Sequence, residues 1–128
     1  MLIKQIYSMV VCFVTTVVLI ITLSITFHAL ITLFLPEYVN KEELLKYSTN
    51  DQYLYNLQSY HNNLYEQLKN LPSKELEEKR ISYKNEYIEV TKARAVSTII
   101  NCSIWIIVSL IFFIVHWKIY KNTQNNNN

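Results

Sequence analysis

The 128 residues include 12 Lys and Arg, 10 Asp and Glu and 3 His, giving a formal charge of +2 in a chain that is 51% hydrophobic and has no glycine. Walker loops, dinucleotide-binding turns and nucleophile elbows all need the backbone freedom of glycine, so this chain cannot build them. The absence of glycine, with only two prolines, also argues against a turn-rich β-sandwich or barrel.

The first element in chain order is apolar. No residue from Gln5 to Pro36 is charged apart from a protonatable His28, so 32 neutral positions separate Lys4 from Glu37. A helix needs about 20 apolar residues to cross a ~30 Å hydrocarbon core. Each Leu, Ile, Val or Phe adds roughly −0.3 to −0.6 kcal/mol to insertion. The run continues well past the 7–15 apolar residues of a signal peptide. Its one alanine, Ala29, has bulky Phe27 at the −3 position, a poor cleavage context. Residues 1–36 are therefore expected to form a retained first transmembrane helix with a short N-terminal tail.

Residues 37–49 read as an interfacial linker or short amphipathic helix, with Tyr38 and Tyr47 as headgroup-level rings. Thr49 with Gln52 three positions on forms a capping box, so a helix should start at residue 50. From there Leu54, Leu57, His61, Leu64, Leu68 and Leu71 recur at spacings of three and four, a coiled-coil-like seam. Pro72 ends the pattern and Ser73 can cap the next helix. After it Ile81, Ile88, Ala95, Cys102, Ser109 and His116 repeat every seven residues with no breaker. The spacing predicts one helix from about Lys74 to about Trp117. Residues 50–94 would then form a polar antiparallel hairpin of equal arms turning near Pro72. Its core would be Leu54, Leu57, Leu64, Leu68, Leu71, Ile81 and Ile88, with Leu64 facing Ile81 and Leu57 facing Ile88.

The second apolar run, 95–117, holds 23 neutral positions between Arg94 and Lys118. A 15.2 kDa chain has too little other apolar material to wrap two such helices in water, so this run is expected to be the second transmembrane helix. Tyr7, Trp117 and Tyr120 would mark the interface away from the hairpin, and 118–128 reads as a disordered basic and Asn-rich tail. The expected fold class is all-α: two transmembrane helices joined by an extramembrane helical hairpin, its second arm continuous with the second span.

Polar residues inside the spans give the clues to interaction. Ser8, Cys12, Thr15, Thr22, Thr26 and Ala29 follow a 4/3 pattern interrupted at Leu19, and Ala95, Thr98, Cys102 and Ser109 do so on the second span. Small side chains allow close helix approach, and their hydroxyls could add hydrogen bonds between helices or bond back to their own carbonyls. The favoured expectation is a specific packing seam, within the chain or between chains. Counted from the loop side, His28 and Asn101 fall at nearly matched depth, and the expectation is a hydrogen bond between the two spans. Intramembrane polar groups are also candidates for a proton or ion path, but no Asp, Glu, Lys or Arg lies within either span to continue one.

Cys12 and Cys102 lie at different depths, so no disulfide joins them, and zinc-ligand spacing is missing from the His and Cys residues. Neither cofactor nor small-molecule substrate is evident. The Glu75, Glu77 and Glu78 cluster reads as a solvated helix face, and the mixed charges of the hairpin give no basic stripe for nucleic acid. Tyr53, Tyr60, Tyr83 and Tyr87 either broaden the hairpin core or form a docking face. The number of bases flanking the loop favours a cytoplasmic hairpin, whereas the short basic start before a long apolar run favours cytoplasmic tails; the balance falls to both tails inside.

Two spans separated by a helical hairpin resemble, in layout, the first two-thirds of the insertase-related family in which a coiled coil separates the first two spans. That family continues into a third span, and of its hydrophilic groove only His28 and Asn101 offer a counterpart. Small phage holins share the two spans but have shorter loops and charged tails. The expected function is a non-enzymatic membrane scaffold or accessory subunit, its partners being the bilayer and itself or another membrane protein. The alternative is a pore or insertion factor with a polar groove around His28 and Asn101.

Overall fold

The computed structural model describes residues 2–125, all side chains from Ile3 onward. Six helices account for almost all of them: α1 (Leu2–Phe34), α2 (Pro36–Val39), α3 (Lys41–Leu45), α4 (Asn50–Tyr60), α5 (Asn62–Leu68) and α6 (Ser73–Asn125). There is no strand among the described residues. The fold is all-α, with two long apolar helices joined by shorter ones and α6 running unbroken from the polar region through the second apolar run.

The chain forms two compact units. The first pairs residues 1–30 with 95–128; the second is residues 31–94. In the first, both apolar stretches are long and apolar enough to cross a membrane, and only 11% of each is buried. A core helix of a water-soluble protein would be mostly covered. Here Phe13, Ile20 and Phe27 on α1, and Trp105, Ile107 and Ile111 on α6, point outward.

Local chemistry explains where the helices begin. Pro36 opens α2, where its missing N–H costs nothing. Thr49 is extended and its hydroxyl accepts the Gln52 N–H at 3.1 Å, starting α4 where the capping box places it. Pro72 precedes α6, its carbonyl accepting the Leu76 N–H at 3.0 Å.

Three expectations need correction. The first arm is not one helix of 21 residues: His61, at φ −140° and ψ 59°, separates α4 from α5. The run His61-Asn62-Asn63 supplies the break, because Asn competes for backbone hydrogen bonds and favours helix ends. The arms also do not pair end to end. Equal arms would set Asn50 opposite about residue 95, yet its side chain donates to the Ser73 carbonyl at 3.1 Å and accepts from Arg80 Nε at 2.9 Å. The start of α4 therefore lies beside the first turns of α6. Finally, the expected disordered tail is helical as far as Asn125, as Lys118 to Asn125 contain no helix breaker; residues 126–128 lie outside the described residues.

Candidate assembly surfaces

Two contacts set the register of the long helices. The Cys12 thiol approaches the Phe113 carbonyl at 3.9 Å, and the rings of Tyr7 and His116 lie 5.7 Å apart. Antiparallel helices with these contacts oppose residues whose numbers total about 124. Ser8, Thr15, Thr22 and Ala29 then meet His116, Ser109, Cys102 and Ala95, a seven-residue period on both sides. Ser8, Cys12, Thr15, Thr22 and Ala29 are all buried, as are Ala95, Cys102 and Ser109, while Thr26 and Thr98 are half-buried. The small-residue positions of both helices thus lie in a seam formed within one chain. Leu19, the gap in the sequence pattern, is itself half-buried.

Shape, rather than hydrogen bonding, makes this seam. Thr15 donates to Val11 and Cys12 carbonyls at 2.9 and 3.0 Å, Thr22 to Val18 and Leu19 at 2.9 and 3.1 Å, and Thr26 to Thr22 at 2.7 Å. These are bonds back onto α1, so the expectation that such hydroxyls bridge the helices is not met by these three threonines. In hydrocarbon this self-satisfaction lets a polar residue pass as a small one. Ser8 differs, being 0% exposed with a hydroxyl that has no partner. Both cysteines are buried free thiols.

His28 and Asn101 stand elsewhere. Each is exposed and each precedes a buried seam residue, Ala29 or Cys102, by one position. One residue is 100° around a helix, which takes both side chains off the contact line. In the observed register His28 is level with about residue 96, five positions or about 7.5 Å from Asn101. Matching their depths by counting from the loop ends fails because the helices pair about seven positions away from that alignment.

The second unit has its own core. Tyr53, Leu57, Leu68 and Leu76 are buried together, and Leu54, Leu64, Tyr65, Leu71 and Tyr83 pack around them half-buried. Ile81 and Ile88 do not belong to it: Ile81 is 44% exposed and Ile88 half-buried. Since α4 and α5 gather at the start of α6, the α6 residues facing the core are Leu76 and Tyr83, displaced from the heptad that runs on into the span. Leu76 carried no weight in the sequence because the heptad starting at Ile81 excluded it.

Arg80 fastens this unit. Its guanidinium donates to the Tyr47 carbonyl at 2.6 Å, the Ser48 carbonyl at 2.9 Å and Asn50 Oδ1 at 2.9 Å, with Glu77 at 3.6 Å. One planar fork thus ties the chain between α3 and α4 to α6, a task suited to Arg rather than Lys. Beside it the Tyr47 ring lies 5.7 Å from Tyr53 and 6.3 Å from Tyr87, and Tyr53 lies 6.1 Å from Tyr83. Burial pushes the phenols of Tyr53 and Tyr47 above their ordinary range. Tyr60, by contrast, is 77% exposed, so the four tyrosines divide between core and surface.

An open groove of about 660 Å³ lies between the 37–48 segment and α6. Tyr38, Leu45 and Ile81 give it apolar lining, with Lys41, Arg80 and the Lys84–Glu37 ion pair (3.2 Å) contributing charge. The size is that of a small-molecule or peptide side-chain site, and the mixture of tyrosine, arginine and aliphatic residues is that of protein interfaces.

No family model matches this chain, and neither a curated protein nor a solved structure matches it.

Proposed function

We propose that this chain is a non-enzymatic two-span integral membrane protein whose helical domain, residues 37–94, is the assembly module of a scaffold or accessory subunit. One observation carries the reading: the seam of small residues is filled within a single chain, leaving large aliphatic and aromatic side chains on the outside of the long helices. Lipid suits these large side chains, and the two spans pack on each other within one chain. Docking then falls to the polar domain, where exposed Tyr38, Leu45 and Ile81 line a groove with charged edges. Interface hot spots draw on such residues, an aromatic or aliphatic anchor ringed by polar groups.

The test has two steps. Membranes holding the chain are washed with alkaline carbonate, and the chain is expected to stay in the pellet. A photoreactive residue at position 81 should then yield a discrete crosslinked product, while one at exposed Gln58 should not. Release by carbonate ends the membrane reading, and equal labelling from both sites ends the docking role of the groove.

A second reading is supported by the outward position of His28 and Asn101. Several copies could turn these polar side chains toward a shared lumen and act as a pore or insertion factor. Ion conductance of the purified chain in liposomes separates this reading from the scaffold.

A further inference from the structure

Asn101 is a carboxamide on the outer surface of an apolar helix. Along α6 it stands about 10 Å from Arg94 and about 25 Å from Lys118, roughly a third of the way across a ~30 Å hydrocarbon layer. Cys102 beside it is buried, whereas Asn101 is exposed, together with Ser97 one turn before and Ile104 and Val108 after. Ser103 escapes the cost of lipid by donating to the Ile99 carbonyl at 2.8 Å. A carboxamide cannot do so fully, since a helix carbonyl serves its N–H donors and leaves its own oxygen unmet. No hydrogen bond of the Asn101 side chain is found among the described residues.

We propose that Asn101 is the centre of a homodimer interface, in which the Ser97, Asn101, Ile104 and Val108 face of α6 meets the same face of a second copy. A second copy is the occupant because a carboxamide is its own complement. Copies inserted in the same sense hold Asn101 at one depth, and a two-fold axis lets each side chain donate an N–H to the other's carbonyl. A charged partner would need an opposite charge on this face, and no residue from Ala95 to Trp117 carries a fixed one. This inference rests on the membrane reading and is independent of the groove in the helical domain.

The experiment uses the full chain, labelled with donor or acceptor dye at its C-terminal end and reconstituted in phosphatidylcholine vesicles over a range of protein-to-lipid ratios. Energy transfer is expected, and Asn101→Leu should need about 5- to 30-fold higher density for half-maximal transfer. Asn101→Gln, which keeps the amide, should stay within about threefold of the parent. In a Cys12→Ala, Cys102→Ala background, Asn101→Cys should form an intermolecular disulfide and Ile100→Cys, at the same depth on another face, should not. No transfer by the parent chain, unchanged transfer by Asn101→Leu, or equal crosslinking at both positions overturns the dimer. A chain that carbonate extracts from membranes instead fails the membrane reading.

Discussion

At the scale of single residues, the helical domain depends on one cation and a few tyrosines. Arg80 satisfies two backbone carbonyls and an amide oxygen with one guanidinium. Removing it as Arg80→Met leaves those groups to find water, at a cost of about 2–3 kcal/mol. Arg80→Lys should recover less than half, because a single ammonium cannot span the fork. Thermal melting of helical signal in detergent would measure both. Tyr53 points the other way: it is 3% exposed and its hydroxyl has no partner. Tyr53→Phe keeps the ring and removes the stranded group, so the domain should gain about 1 kcal/mol. The same phenol links stability to pH. Its folded pKa is raised by burial, as is that of Tyr47, so the folded state holds the neutral form while the unfolded chain ionises near pH 10. That contribution is complete below about pH 10 and is lost as pH rises further. Alkaline loss of helicity should begin there, and Tyr53→Phe should move the onset upward.

At the scale of elements, what the sequence disclosed and what it hid divide along physical lines. The long helices were legible because twenty or more uncharged apolar residues admit few alternatives, and the start at Asn50 because capping is local chemistry, whereas Ser73 is the first residue of α6 and not its cap. The seam positions were legible too, since small residues in an otherwise bulky helix stand out. The bend at His61 was masked by leucines whose 3/4 spacing continues across it, although the two asparagines that follow signalled a break. Register was hidden for another reason: it depends on contacts such as Cys12 with Phe113, which no local pattern encodes. The seam yields its own prediction. Thr22 is buried and bonds only its own helix, so Thr22→Ala should shift span pairing by less than about 1 kcal/mol. Thr22→Leu should cost about 1–3 kcal/mol by holding the backbones apart. The rate at which Thr15→Cys and Ser109→Cys form a disulfide within one chain, with Cys12 and Cys102 replaced by Ala, would report both.

At the scale of the whole molecule, the division into two units implies two unequal stabilities. The unit of residues 31–94 has four buried apolar side chains, Tyr53, Leu57, Leu68 and Leu76. Domains of about sixty residues are marginal even with fuller cores. Its helices α2, α3 and α5 have 4, 5 and 7 residues, too short to persist alone when isolated helices below roughly 12–15 residues are marginal in water. Its share of α6 belongs to a longer helix, which the apolar run continues to Asn125. The costly nucleation of that arm is therefore met by the span, and α4 and α5 find a formed surface on which to fold. A fragment of residues 36–94 in buffer should accordingly show well under the helicity of the same residues in the intact chain. Extending the fragment through residue 125 in detergent micelles should restore it. Circular dichroism of the two fragments, compared per residue, checks this. A short fragment as helical as the long one would mean that Arg80, the tyrosines and the four-residue core fold the domain without the span.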